Sequence, residues 1–107
     1  MRQEEYVRMM AAAMSERDLQ DAVVRMAESL GWKVYHTYDS RRSGPGWPDL
    51  VLGRDGRVLF RELKTMKGRV SKDQQEWIGL LAAAGDDVAV WRPDQWHDRT
   101  IERELAG

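Results

Sequence analysis

The dipeptide Asp55-Gly56 constrains this chain more than any other feature of its sequence. It lies between two apolar segments, and Asp-Gly is a preferred centre for a two-residue type I′ turn that joins antiparallel strands. A turn of that length fixes the register of the hairpin and brings Asp49 directly opposite Glu62. We therefore expect two carboxylates on one face of the sheet, with Cβ atoms roughly 4.5–5.5 Å apart.

The predicted pair of carboxylates needs a compensating charge. Lys64 lies two residues after Glu62 and therefore points to the same face. Both faces of the hairpin are apolar, which indicates a buried strand pair in which an uncompensated charge is costly. A divalent cation would relieve the repulsion between Asp49 and Glu62, and oxygen ligands without cysteine favour Mg²⁺ or Mn²⁺ over zinc. The alternative is an ordinary surface network of the same three side chains.

Helices and further strands are predicted around this hairpin. Ser15 and Ser71 are suitable N-caps, and Gly31 and Gly85 are suitable residues to end the two helices. The predicted elements are a helix over residues 15–30, strands over 32–38, 49–53 and 57–64, a helix over 71–84, a strand over 87–91 and a helix over 93–105, with residues 1–14 as a weak helix or a mobile arm. The central order α-β-β-β-α-β predicts a mixed α/β fold, in which helices flank a central mixed sheet.

Length and composition agree with one intracellular domain. The 107 residues contain no cysteine, which excludes disulfides, a Cys-ligated zinc site and a thiol nucleophile. No apolar run reaches the ~18 residues of a membrane span, and the charged N-terminal segment lacks the apolar stretch of a signal peptide. We therefore expect a single intracellular domain over residues 1–107.

The chain has a net charge of −1, but its charges are unevenly distributed. Residues 33–72 contain ten basic and four acidic residues, a net +6, whereas the two flanks contain seven basic and fourteen acidic residues, a net −7. A basic middle segment is compatible with a polyanionic partner such as DNA. A mixed, solvated surface is the alternative interpretation of the same charges.

The spacing of several short motifs resembles a known nuclease family. Pro48-Asp49, followed after a gap by Glu62-Leu63-Lys64, is similar to the PD-(D/E)XK signature on the central hairpin of a restriction-endonuclease-like core. Residues 15–92 resemble the VRR-NUC (virus-type replication-repair nuclease) subgroup. The residues that carry this resemblance are Ser15-Glu16, Leu19-Gln20, Gly31-Trp32, Gly46-Trp47-Pro48-Asp49-Leu50-Val51, Glu62-Leu63-Lys64, Gly68-Arg69-Val70-Ser71, Gln74, Leu81 and Ala84-Gly85. Trp47 departs from the family, whose members more often have a small or aliphatic residue there.

The resemblance implies a role for each charged residue near the hairpin. Asp49, Glu62 and the backbone carbonyl of Leu63 would bind one or two Mg²⁺ or Mn²⁺ ions. Glu16 would complete the metal site directly or through water, although the helix dipole favours any acidic residue in a first helical turn. Lys64 would position or activate the attacking water and stabilise charge on the phosphate. A simple ion pair with Glu62 is the alternative for Lys64.

Other residues are candidates by resemblance or by position. Gln74 matches a family glutamine, although it also forms a capping-box pattern with Ser71. His36 matches no catalytic position, and we expect it to be structural. Two loops beside the site carry cations suited to phosphates, and a loop tryptophan could stack on a base. These candidate DNA-binding residues are Arg41, Arg42, Trp47, Lys67, Arg69 and Lys72.

The resemblance thus implies a metal-dependent DNA endonuclease that is similar to Holliday-junction resolvases of phages or prophages. It also implies a cytoplasmic location, in a bacterium or in a phage-infected host cell. The alternatives are a flap or nicking nuclease, a non-catalytic DNA-binding module, and a protein whose acidic residues only bind a stabilising ion. A resolvase needs two sites related by a two-fold axis, so we expect a homodimer. The apolar residues that could form a shared interface, or pack back on their own domain, are Tyr6, Met9, Met10, Met14, Trp96, Ile101 and Leu105.

Overall fold

The computed structural model describes residues 1–37 and 44–107. Within these residues the chain forms five helices and four strands. The elements are α1 (Gln3–Ala13), α2 (Glu16–Ser29), β1 (Lys33–His36), β2 (Leu50–Arg54), β3 (Arg57–Leu63), α3 (Lys72–Ala83), β4 (Asp87–Trp91), α4 (Pro93–His97) and α5 (Thr100–Ala106). The predicted α-β-β-β-α-β order is confirmed in α2 to β4. No helix in the described ranges is both long and apolar enough for a membrane crossing.

The hairpin of β2 and β3 has the predicted turn and register. Asp55 and Gly56 both have positive φ angles, 48° and 79°, as a type I′ turn requires. The antiparallel pairing runs from Arg54 opposite Arg57 to Leu50 opposite Arg61. The local turn therefore sets the position of every residue along the two central strands.

The four strands form one mixed sheet in the order β1-β2-β3-β4. The first three are antiparallel, and β4 is added parallel to β3 through the crossover helix α3. This topology makes β3 a central strand, with β2 on one side and β4 on the other. The carboxylate of Glu62, near the end of β3, therefore has a neighbouring strand on each side.

The hydrophobic core lies on one face of the sheet. The leucines of β2 and β3 alternate toward it, and α2 and α5 cover them. The core residues are Leu19, Val23, Ala27, Trp32, Leu50, Leu52, Leu59, Leu63, Trp91, Ile101 and Leu105. The expectation that the hairpin is buried on both faces is wrong, because Val58 on the other face is 50% exposed. On that face, helix α3 packs against β4, and Tyr35 of β1 and Val58 of β3 are exposed.

The two helices that flank the site begin at the predicted caps. The Ser15 hydroxyl accepts a hydrogen bond from the Asp18 amide at 3.0 Å, which fixes the first turn of α2. At α3, Ser71 and Gln74 form a reciprocal capping box, with N···O distances of 3.2 and 2.8 Å. Both helix starts are therefore specified locally, and they fix where Glu16 and Gln74 lie.

The two terminal segments differ from each other in how well they were predicted. The segment before residue 15 forms the helix α1, the first of the two expected alternatives. The single helix expected over 93–105 is wrong, because the chain forms two short helices. Arg99 breaks the helix with a φ of 68°, and the Asp98 carboxylate accepts a hydrogen bond from the Thr100 amide at 2.9 Å.

The loop before β2 is held against α3 by a close backbone approach. Gly46 has a φ of 88°, and a Cβ atom built on it would lie 2.4 Å from the backbone carbonyl carbon and oxygen of Asp73. That distance excludes any side chain at this position. Gly44, two residues earlier, has no atom within 4 Å of its equivalent Cβ position.

Gly46→Ala should therefore destabilise the protein by more than about 1 kcal/mol, because the backbone of α3 must shift and alanine disfavours a positive φ. Gly44→Ala is the matched control, with an expected change within about 0.5 kcal/mol. Urea denaturation of both variants at one pH measures the difference. Equal stabilities would contradict the close approach.

Candidate active site

Asp49 lies where the ladder between β2 and β3 ends. Proline has no amide hydrogen, so Pro48 cannot donate to a neighbouring strand. The Asp49 carboxylate accepts the amide hydrogen of Leu63 at 2.8 Å. The side chain thus extends the pairing of the strands and is fixed against β3. This contact places one carboxylate beside Glu62, as the hairpin register predicts.

Glu62 is buried in the sheet and has no compensating hydrogen bond. Only 1% of its surface is exposed, and neither carboxylate oxygen accepts a hydrogen bond from the residues that the structure describes. Burial raises the pKa of Glu62 to about 9, and the neighbouring Asp49 carboxylate acts in the same direction. Without a cation, the Glu62 carboxyl group therefore retains its proton at neutral pH.

Glu16 and Lys64 contribute further charge to this pair. Partial burial raises the pKa of Glu16, and the Asp49 carboxylate adds to the rise. The Lys64 ammonium lies close enough to lower the pKa of both Glu16 and Glu62. Helix α2 and strand β3 thus bring all four predicted residues into one electrostatic group.

The residues present fit a hard divalent cation. Two buried oxygens without donors, next to a second carboxylate, are the arrangement in which a cation removes both desolvation cost and repulsion. In residues 1–37 and 44–107, however, no three acidic or histidine side chains are close enough to form a complete ligand cluster. Glu16 is therefore close enough to Asp49 to feel its charge, but the two do not form such a cluster with Glu62.

Gln74 occupies the position where both of its predicted uses are possible. Its side-chain oxygen accepts the Ser71 amide hydrogen in the capping box. The same amide also carries an NH₂ group, which is a donor. The capping contact and a donated hydrogen bond to a substrate therefore use different atoms of the side chain.

Trp47 packs within an aromatic cluster. Its ring meets Phe60 edge-on at a centroid distance of 5.8 Å and Trp77 edge-on at 5.0 Å. These contacts fill the space between the loop, β3 and α3, and they leave the ring half-buried. The side chain supports Pro48 and Asp49 from the uncovered face of the sheet.

The basic residues of the middle segment divide into two groups. Lys67, Arg69 and Lys72 are exposed beside the site, and Arg41 and Arg42 lie outside the described residues. Three other arginines of this segment, and Arg92 beyond it, bind the chain itself. Arg54 and Arg57 donate to the Gly107 carbonyl, Arg61 is buried on Asp87 and Glu104, and Arg92 donates to Thr65 and Gly68.

Sequence reasoning missed two features of the site. Arg92 holds the loop after Lys64 through the carbonyls of Thr65 at 2.6 Å and Gly68 at 2.8 Å. An open cavity of about 450 Å³ also adjoins Asp49 and is lined by α2 and the end of β1. Its lining residues are Glu16, Arg17, Gln20, Asp21, His36, Thr37 and Asp49. The spacing of Glu16 and Gln20, one helical turn apart, was the available signal for this cavity.

The stability of the metal-free protein should fall as pH rises between about 4.5 and about 9. The pKa of Glu62 is raised on folding, so the folded state retains a proton that the unfolded state loses. One such proton gives a slope of at most about 1.4 kcal/mol per pH unit. Glu62→Gln should flatten this part of the curve in urea denaturation with EDTA, and parallel curves for the two proteins would contradict the burial argument.

Comparison with known proteins agrees with this geometry. The family model described as the VRR-NUC domain matches residues 2–95. The match begins within the N-terminal segment, and so extends beyond the 15–92 core expected from the motifs. No curated protein and no solved structure gave a match to the chain. The family model spans most of the sequence, and the hairpin region carries Asp49, Glu62 and Lys64 together. The chain therefore belongs to the VRR-NUC family of PD-(D/E)XK-type nucleases.

Proposed function

We propose that this protein is a metal-dependent endonuclease that hydrolyses phosphodiester bonds in DNA. The observation that carries the proposal is the buried Glu62 carboxylate, which has no donor among the described residues and lies beside Asp49. Such an arrangement is costly in a protein that binds no cation, and it is useful in a nuclease. VRR-NUC proteins are nucleases, and divalent metal ions are typical of them.

Asp49, Glu62 and the Leu63 carbonyl would hold Mg²⁺ or Mn²⁺, as one or two ions, and Glu16 would complete the set directly or through water. A divalent cation in this position supplies positive charge to an anionic phosphate. The Leu63 amide keeps the Asp49 carboxylate in place. The protein's own contribution is thus a rigid set of oxygen donors at the end of two paired strands.

Lys64 and Gln74 would act on the substrate. The Lys64 ammonium donates a hydrogen bond to a phosphate oxygen, and it orients the water that attacks the phosphorus atom. The NH₂ group of Gln74 donates to the same phosphate while its oxygen keeps the α3 cap. Both side chains project from backbone that is fixed by hydrogen bonds. The Lys64 amide, directly after β3, donates to the Trp91 carbonyl, and Gln74 lies in the first turn of α3.

Asp49→Asn and Glu62→Gln should each reduce cleavage of labelled DNA at least about 100-fold, because each removes an anionic ligand without changing side-chain size. EDTA should reduce cleavage by the wild-type protein to a similar extent, and added Mg²⁺ or Mn²⁺ should restore cleavage. Glu76→Gln in α3, an exposed position, is the matched control and should keep full activity. Full cleavage in EDTA, or in either ligand variant, would contradict the proposal.

The DNA contacts would come from the exposed cations beside the site. We assign this role to Lys67, Arg69 and Lys72, and to Arg41 and Arg42, which lie outside the described residues. Arg54, Arg57, Arg61 and Arg92 are excluded, since each is bound to carbonyl or carboxylate groups of the chain. The proposed DNA-binding surface therefore uses only some of the basic residues in the middle segment.

Replacing Lys67, Arg69 and Lys72 together with glutamine should weaken binding and reduce the slope of log Kd against log salt by up to about 3. The matched control replaces the exposed Arg8, Arg25 and Arg99, which changes the net charge equally but leaves the basic loop intact. Fluorescence anisotropy at several salt concentrations measures both. An equal slope in the two triple variants would mean that DNA binds elsewhere.

Branched DNA of the Holliday-junction type is the substrate that we propose, in the replication or repair of a phage or prophage and in the cytoplasm. A flap or nicking nuclease is the alternative. Two symmetric incisions require a homodimer. Trp96, Ile101 and Leu105 pack into their own domain, so the interface would have to use the exposed Tyr6, Met9 and Met10 of α1.

A cleavage panel of four-way junction, flap, nicked and linear duplex DNA separates these substrates. Paired cuts in the junction by a dimer would support the resolvase function, and light scattering at the same concentration gives the oligomeric state. A monomer that cuts flaps alone would favour the alternative. Binding without cleavage under every metal condition would indicate a non-catalytic DNA-binding module.

A further inference from the structure

The sheet face that carries the carboxylates extends beyond them as an open surface. In the registers of β1 with β2 and of β2 with β3, Tyr35 lies opposite Val51, and Val51 lies opposite Phe60. Residues directly opposite in an antiparallel sheet point to the same face. Tyr35 therefore lies on the same face as Phe60 and, two residues farther along β3, Glu62.

Tyr35 is close to the carboxylate pair. The pairing of β1 with β2 continues one step beyond the strands, because the Thr37 amide donates to the Asp49 carbonyl at 3.0 Å. Tyr35 and Asp49 are thus a diagonal pair across two strands, whose Cβ atoms are about 7–8 Å apart, within reach of an aromatic side chain. A nucleotide at the site would lie beside this ring.

The ring of Tyr35 is unusually accessible for an aromatic residue in a sheet. It is 63% exposed, and Val58 on the same face is 50% exposed. Helix α3 and Trp47 cover Phe60 and the β4 side of the sheet but do not extend to β1. Lys33, exposed and two residues before Tyr35, adds a cation to the same face.

We propose that Tyr35 stacks on an unpaired base of the DNA strand that enters the active site, with Lys33 contacting a neighbouring phosphate. Aromatic side chains combined with cations bind single strands, since every base has a face that can stack. A paired base inside a duplex cannot present that face. The inference rests on the proposed nuclease function. Among the substrates named above it favours DNA with unpaired nucleotides next to the cut, such as a flap, over the fully paired four-way junction.

Trp47, the residue expected to stack, is less suited to this role. Both of its ring contacts are used within the protein, on Phe60 and Trp77. Tyr35 has the exposure that Trp47 lacks, and it lies on the same face of the sheet as the catalytic group. The stacking function therefore moves from the loop to the edge strand.

The test is DNA binding by the Glu62→Gln protein, in which cleavage is suppressed, with a flap substrate in fluorescence anisotropy. Tyr35→Val removes the ring but keeps the β-propensity of an edge strand. It should weaken binding about 5- to 150-fold, the equivalent of about 1–3 kcal/mol for one stacked base. Tyr35→Phe should bind like the parent, and the salt dependence should not change, because stacking involves no phosphate.

Leu80→Ala is the matched control, since Leu80 is a 57% exposed apolar side chain in the second half of α3. An abasic scan of the unpaired strand gives a second, independent measurement. One abasic position should weaken DNA binding by the parent protein, which keeps Tyr35, and should have no further effect on binding by Tyr35→Val. Equal binding by the Tyr35→Val and parent proteins, or equal losses in Tyr35→Val and Leu80→Ala, would overturn the inference.

Failure of the stacking inference is distinguishable from failure of the nuclease function. Cleavage of flap DNA by the wild-type protein, together with unchanged binding by Tyr35→Val, would leave the nuclease function standing and remove the stacking role. A wild-type protein that neither binds nor cuts any DNA would overturn both.

Discussion

Burial of the Glu62 carboxylate is the constraint on which the rest of the site depends. A carboxylate removed from water needs a proton or a cation, because its desolvation is costly. Strand β4 pairs with β3 at this point, with Val90 beside Glu62, so water has little access from that side. The hairpin turn then brings Asp49 to the same place, and Asp49 cannot turn away, since the Leu63 amide binds it. The fold thus creates a negative site that favours cation binding.

The arginines show how a basic segment can contribute to folding instead of binding. Arg61 is 2% exposed, lies over the Trp91 ring at 4.9 Å and donates to Asp87. Arg54 lies over the Trp32 ring at 4.5 Å and donates to carbonyls of the helical segments on the core face. Their charges are compensated inside the protein, so they contribute little to the outer field. Of the described cations in residues 33–72, Lys67, Arg69 and Lys72 remain exposed after Lys64, and Lys33 remains exposed on β1.

Local signals made the central part of the fold predictable. The type I′ turn, the two serine caps and the left-handed glycines depend on residues a few positions apart, and the structure has each of them. The buried network of Arg61 was not predictable, because Asp87 and Glu104 are distant in sequence. The exposure of Val58 was missed for a similar reason, since it depends on how far α3 extends across the sheet.

One short loop couples the two halves of the site. Gly46 contacts the backbone of Asp73, the residue before Gln74, so the start of α3 and the approach to Asp49 are positioned against each other. Trp47 then fills the space between Phe60 and Trp77. Its ring gives the loop a fixed support and is itself half-buried as a result. The aromatic surface available to a substrate lies instead on β1, on the same side of the sheet as the carboxylates.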